Sequence, residues 1–185
     1  MEPAQPGHFW KTRFIWEPGC PEPAAVSALS FVDAEDAWLG GALAEVMSQS
    51  LDGSDQYAVA HGGAVQAVEE LLALVPQSFE KPANWWRAAT DESGRKVGFV
   101  LPVLFQDQAR WKDGCPQGTI LHTGVLHGFR GRGCAGRLLD EATRVFIRAR
   151  CWRIFCDAST ANAPMINAFR RAGYKERTPW QPPLA

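Results

Sequence analysis

The chain has 185 residues, 46% of them hydrophobic and 21% charged, with a formal net charge of -1. That length and balance fit one globular domain and exclude a largely disordered chain. A near-neutral charge without a long basic run excludes the basic stripe that a nucleic-acid or membrane-surface partner normally requires, so neither is expected. Pro3, Pro6, Pro18, Pro21 and Pro23 rule out a long helix over residues 1–25 and mark a proline-rich N-terminal arm ahead of a single domain at residues 26–180. Within that arm, residues 8–16 are expected to run extended and lay their aromatic side chains on the body. A first strand is expected at residues 25–32. Asp33 then caps a helix over about residues 35–49, with Ala37, Trp38, Leu43, Ala44 and Met47 on its buried face. A polar break at residues 51–56 precedes a second helical pattern at residues 64–75, stopped by Pro76; the connecting residues 50–63 carry little periodicity.

From Trp85 onward the pattern turns to strands. Residues 85–89 and 96–105 flank Asp91, Glu92, Ser93 and Gly94, a hairpin signature. A polar loop at residues 106–117 leads to a strand at residues 119–126. The helix that follows places Ala135, Leu138, Leu139, Ala142, Val145, Phe146 and Ala149 at helical spacing, with Arg137, Asp140, Arg144 and Arg148 opposite. A short strand at residues 152–157 follows. Asn162 then caps a helix with Pro164 in its first turn and Gly173 at its end, and residues 174–180 form a last strand. Strands and helices mixed in this way give an α/β (α+β) domain. The five cysteines, Cys20, Cys115, Cys134, Cys151 and Cys156, are odd in number and lack C-x-x-C spacing, so reduced thiols, no metal site and a cytoplasmic location are expected. No apolar run approaches the ~18 residues of a membrane span, and no basic segment followed by an apolar one opens the chain.

The stretch V-L-H-G-F-R-G-R-G-C-A-G-R-L-L, residues 125–139, joins a strand end to a helix start through arginines and glycines. Such a turn presents backbone N–H groups at the positive end of a helix dipole and so favours an anion, phosphate above all. Gly131, Gly133 and Gly136 spell G-x-G-x-x-G, and Asp157 lies about 20 residues further on, as in dinucleotide-binding units. Only 28 residues follow Asp157, however, which leaves no room for the rest of a doubly wound sheet. His127, Gly128, Phe129 and Arg130 also separate the first glycine from its strand. A P-loop is excluded because no G-K-[ST] follows.

The arginines give the turn a different owner. R-G-R-G-C-A, Arg130 to Ala135, matches R-x-x-G-x-A, and with Val125 before it and Leu138-Leu139 after it the segment resembles the acetyl-coenzyme A site of the GCN5-related N-acetyltransferases. I-F-C-D-A-S-T-A-N-A-P-M-I-N-A-F-R-R-A-G-Y, residues 154–174, resembles that family's second segment, in which a strand, an asparagine and a helix end in glycine and an aromatic. The resemblance covers about residues 96–178, the expected acetyl-coenzyme A core; residues 35–80 fit as acceptor-binding elements by order only. It implies a mixed central sheet of about six to seven strands flanked by about four helices, and acetyl-coenzyme A as acyl donor. It also implies pyrophosphate binding by Arg130, Gly131, Arg132, Gly133, Cys134, Ala135 and Gly136, thioester contacts from the main chain at Thr123 and Val125, and a pantetheine contact from Asn162.

His122 stands three residues before Val125, where many family members carry a glutamate base; a histidine suits that proton transfer because its unperturbed pKa lies near neutrality. Phe169 stands where many relatives have the tyrosine that protonates the departing thiolate, and phenylalanine cannot donate a proton. His127 and Cys134 are weaker candidates for chemistry, and Tyr174 aligns with a core aromatic. Asp52, Asp55, Glu69 and Glu70 could attract an amine, and Trp38, Trp85, Trp86 and Trp111 could form a stacking wall. The leading function is acetylation of a small-molecule primary amine by direct attack. A protein amine, or a non-catalytic acyl-coenzyme A sensor, are the alternatives, and a homodimer is left open.

Overall fold

The computed structural model describes residues 9–23 and 28–182; the opening of the expected arm and the first half of the strand expected at residues 25–32 lie outside the described residues. β5 (Lys96–Phe105) is the spine of the fold, buried at every position but its two ends. A run of V-G-F-V-L-P-V-L is what a strand covered on both faces needs. It pairs antiparallel with β4 (Arg87–Thr90) through a turn in which the Asp91 carboxylate accepts hydrogen bonds from the Ser93 and Arg95 N–H groups. On its other side it pairs antiparallel with β6 (Gln117–Val125). Outside this core lie β1 (Lys11–Trp16), β2 (Ser30–Asp33), β3 (Phe79–Glu80), β7 (Arg153–Ser159) and β8 (Lys175–Glu176). Eight strands thus form one sheet in the order β2-β4-β5-β6-β7-β1-β8, with β3 added to β5. Two of the eight are only two residues long, which accounts for the difference from the six to seven expected.

Four helices cover the sheet. α3 (Cys134–Arg148) and α4 (Ala163–Arg171) bury Leu138, Ala142, Phe146 and Phe169 with Val100 and Leu104 of β5. α1 (Asp36–Ser48) and α2 (Gly53–Ser78) bury Leu39, Leu43, Val46, Ala67 and Val68 with Phe99, Leu101 and Val103, the alternate residues of the same strand.

Four sequence expectations change. Residues 11–16 are not an arm laid on the body but a strand between β7 and β8, because Phe14 and Trp16 are core residues and the backbone between them completes two ladders. Asp33 ends β2 and its carboxylate pairs with Arg87; Glu35 takes the N-cap position, and the buried stripe of α1 turns to Leu39, Ala42, Leu43, Val46 and Met47. α2 begins eleven residues earlier than its apolar pattern indicated, at Gly53, because Asp52 caps it, accepting from the Ser54 N–H at 3.0 Å. Gly63, at φ 77°, interrupts the helix and hid its first half in the sequence; Pro76 lies in the final turn without ending it. Joined in this way, α2 is long and apolar enough by length and composition to cross a membrane, unlike any run judged from residues 64–75 alone. It packs Ala67 and Val68 against α1. Finally, the strand expected at residues 174–180 shrinks to β8 and a single bridge between Lys11 and Trp180.

Phe146 has no exposed surface and stands edge-on to Trp85 at 5.6 Å. Phe146→Ala is expected to cost about 3–5 kcal/mol of stability. Chemical denaturation measures it, and a loss under about 1 kcal/mol would contradict this packing.

Candidate active site

β6 and β7 run parallel but pair only at Gln117 with Arg153 and Gly118 with Ile154. Beyond Gly118 the two strands separate, and β7 keeps its ladder with β1 alone. The gap is a cleft of about 1100 Å³ lined by Thr119–Val125 of β6, Cys156–Ala158 of β7 and the starts of α3 and α4. One edge of β6 therefore faces open space with its main-chain groups, which must find partners in water or a ligand.

A bulge turns β6 at the cleft. Val100 pairs with Thr123 and Pro102 with Ile120, so Leu121 and His122 together oppose Leu101. Pro102 has no N–H to give a regular ladder here, and the extra residue re-aims its side chain. His122 Nε2 lies 3.2 Å and 3.3 Å from the two carboxylate oxygens of Asp55, and each side chain is 12% exposed. The other ring nitrogen, Nδ1, is buried without a partner among the described residues. Asp55 reaches His122 from the first turn of α2, whose cap, Asp52, ties three elements together. The Asp52 carboxylate accepts from Ser54 of α2 and from the Ser159 N–H of β7 at 2.9 Å, and pairs with Lys11 of β1 at 3.3 Å. Burial works to raise the Asp52 pKa, but Lys11 and these hydrogen bonds outweigh it and hold the carboxyl below its ordinary value.

At the other end, Gly131 and Gly133 take φ values of 77° and 76°, left-handed geometry that suits glycine. Gly133 is the N-cap of α3, and among the described residues no side-chain cap bond meets the first N–H groups of that helix. Those donors, from Cys134, Ala135 and Gly136, open on the cleft and fit a diphosphate.

The description "Acetyltransferase (GNAT) family" matches residues 56–174. The chain belongs to that family. A segment of 59 residues is 37% identical to the N-terminal acetyltransferase A complex catalytic subunit ard1 of Schizosaccharomyces pombe, covering 32% of each chain. Among solved structures, a GCN5-related N-acetyltransferase from Sphaerobacter thermophilus aligns at a TM-score of 0.56 and 17% identity over 96% of this chain and 51% of that one. A GNAT-family acetyltransferase from Colwellia psychrerythraea aligns at 0.59 and 14% over 94% of this chain and 54% of that one. The GCN5-related glucosamine N-acetyltransferase region of a fungal multi-domain β-N-acetylglucosaminidase aligns at 0.60 and 12%, over 93% of this chain and 20% of that one. The chain thus spans a third of the curated relative and about half or less of these structures, whose likeness is one of fold.

Within this GNAT fold, Thr123, Val125, Arg130, Gly131, Gly133, Cys134, Ala135, Gly136, Asn162 and Phe169 all line the cleft together with His122. Arg132 does not, and its guanidinium donates to the Gly128 carbonyl. The Arg130 guanidinium donates to the carbonyls of Val125 and Gln49, clamping the turn to the end of α1. The Asn162 carboxamide oxygen caps α4 by accepting from the Met165 N–H. Phe169 stacks on Phe14 at 4.6 Å and is 3% exposed. No tyrosine lines the cleft among the described residues; Tyr174 is buried beside Thr143, and burial pushes its pKa well up. The thiol of Cys156, at the cleft floor, is pushed up by burial to about 12. No group of His, Cys, Asp or Glu among the described residues could hold a metal ion.

The tryptophan wall does not form: none of Trp38, Trp85, Trp86 or Trp111 borders the cleft, and Trp38 and Trp85 pack edge-on against Phe99 and Phe146. Of the four acidic candidates, Asp52, Asp55 and Glu70 line the cleft and Glu69 does not. Sequence reasoning missed the pairing of Asp55 with His122. The available signal was the cap Asp52-Gly53-Ser54, which starts α2 and puts Asp55 in its first turn.

The Asp52 contribution to stability is fully present above the ordinary carboxyl value of 3.8 and is lost as pH falls through the lower folded value. Asp52→Asn is expected to cost about 1–2 kcal/mol near neutrality and to flatten the acid limb of stability. Thermal unfolding between about pH 3 and pH 7 measures both. Parallel acid limbs for the two proteins would contradict the network.

Proposed function

We propose that the chain transfers an acetyl group from acetyl-coenzyme A to the primary amine of a small molecule, by direct attack in a ternary complex with His122 as general base. One observation carries this: His122 stands in the bulge that β6 makes against β5, in the same cleft as the open N-terminus of α3. The residues present suit acetyl-coenzyme A. The N–H groups of Cys134, Ala135 and Gly136 would hold its diphosphate, Asn162 and the free edge of β7 its pantetheine arm, and the main chain at Thr123 and Val125 its thioester. Bound there, acetyl-coenzyme A supplies an activated acyl group whose leaving thiol needs little help. This agrees with Phe169 and with the lack of a tyrosine along the cleft among the described residues.

The acceptor side is formed by α2 and the strand after it. Ala58, Ala67, Leu71, Leu74 and Phe79 give it an apolar wall, and Asp55 and Glu70 give it acidic groups. That combination favours an amine on an apolar body. His122 takes a proton from the amine, and holding both substrates in one cleft supplies much of the rate. A cytoplasmic site of action is proposed with it, in keeping with the five cysteines, all free.

A peptide amine is the second reading, favoured by the stretch shared with ard1, named for N-terminal acetylation. Thiol release over a panel of small amines and short peptides separates the two. His122→Ala is expected to lower kcat/KM by about 10²–10⁴-fold and to leave acetyl-coenzyme A affinity unchanged. An unchanged rate and pH profile would remove His122 from the reaction. Binding of acetyl-coenzyme A without thiol release across the whole panel would favour a sensor instead.

A further inference from the structure

We propose that Asp55 is a positioning residue of the reaction: it fixes the ring orientation and tautomer of His122 so that Nδ1 takes the proton of the acceptor amine. This rests on the reading of His122 as the base. Asp55 is the one hydrogen-bonding partner of the His122 ring among the described residues, with Nε2 3.2 Å and 3.3 Å from its two oxygens. A carboxylate only accepts, so Nε2 carries the ring hydrogen and the lone pair is at Nδ1. Nδ1 is the buried ring atom left without a partner. Burying such a lone pair is unfavourable, and the N–H of an amine, or of one bridging water, is a donor of the right kind once binding of the acceptor opens a path to Nδ1.

The two residues come from distant parts of the chain, each held by a local device. His122 sits in the β6 bulge with its ring against Phe99 at 5.9 Å. Asp55 lies in the first turn of α2, where the Asp52 cap fixes the helix start to β1 and β7. A carboxylate 8% exposed gains most from a partner that can become positive. As the amine nitrogen bonds to the acetyl carbon, its proton passes to Nδ1 and the ring becomes an imidazolium held by Asp55. As the carbon–sulfur bond breaks, that proton goes to the departing thiolate. The products are an amide and a free thiol, and the ring returns to its starting form.

Other charges border the cleft but are engaged elsewhere, lie on other elements or stand several turns from Asp55. Asp52, the cap of α2, is bound to Lys11 of β1, Asp157 of β7 is bound to Arg13, Arg130 donates to the Val125 and Gln49 carbonyls, Arg171 lies in the last turn of α4, and Glu70 stands four turns along α2. β5 presents the Phe99 ring to His122 and no charge.

The test compares Asp55→Asn and Asp55→Glu with the parent enzyme and with His122→Ala, measuring kcat, KM, the pH profile of kcat/KM and acetyl-coenzyme A binding by calorimetry. For Asp55→Asn, kcat is expected to fall about 10²-fold or more with acetyl-coenzyme A affinity unchanged. The acid limb of its profile is expected to move, because the carboxylate bonded to the ring is gone. Asp55→Glu is expected to recover part of the rate and to return the limb. Adding Asp55→Asn to His122→Ala is expected to cause no further loss, because the pair acts as a unit. A full rate in Asp55→Asn with an unmoved limb overturns the proposal. So does a loss confined to stability and cofactor affinity with the limb in place. If His122→Ala is slow while Asp55→Asn is normal, this inference alone falls; if His122→Ala is itself normal, the base reading falls.

Discussion

The separation of β6 from β7 after Gly118 is the constraint on which the rest depends. Two parallel strands that stayed paired would close the sheet and leave no cleft. Their divergence exposes one edge of β6 and one of β7, and an exposed edge inside a fold is unfavourable unless something uses its main-chain groups. The flanking pieces are arranged to hold that gap open. Gly118 lies against Phe146 of α3, so close that an added Cβ would meet the ring at 2.3 Å, and β7 finds its second ladder with β1. The N-terminal strand is thus part of what allows a cleft to exist.

The same gap sets the division of labour. Helices α3 and α4 bring their N-termini to one side, where uncapped or half-capped backbone donors suit an anionic chain. α1 and α2 wall the other side with apolar side chains and two carboxylates. His122 stands between them because of one extra residue in β6. Asp52 holds this arrangement together electrostatically, since one carboxylate serves a helix start, a strand end and a lysine. Its ionised form is favoured despite its burial, which makes it a point where low pH loosens both the fold and the site.

Much of the C-terminal half was legible in the sequence because its signals are local. The apolar stripe of α3, the Asn162 cap and the glycine turn each act within a few residues, and they appear in the structure where the sequence puts them. The N-terminal half was harder, for physical reasons. Residues 11–16 read as an arm because a strand's partners, here residues 153–159 and 175–176, cannot be seen from the strand itself. The first half of α2 was hidden by Gly63, and with it went the position of Asp55. The pairing of Asp55 with His122 joins residues 67 positions apart and has no local mark. The tryptophans misled in the opposite direction, since their size makes them as useful to a core as to a binding wall.

The proposed seat of acetyl-coenzyme A is the gap between β6 and β7, with its diphosphate on the start of α3. Hydrogen exchange of the backbone amides with and without acetyl-coenzyme A tests it most directly. Slowed exchange is expected in two separate segments, residues 119–125 of β6 and residues 131–136 of the glycine turn, with little change in α2 beyond its first turns. Unchanged exchange in both segments while the ligand binds, or protection confined to another face of the protein, would contradict it.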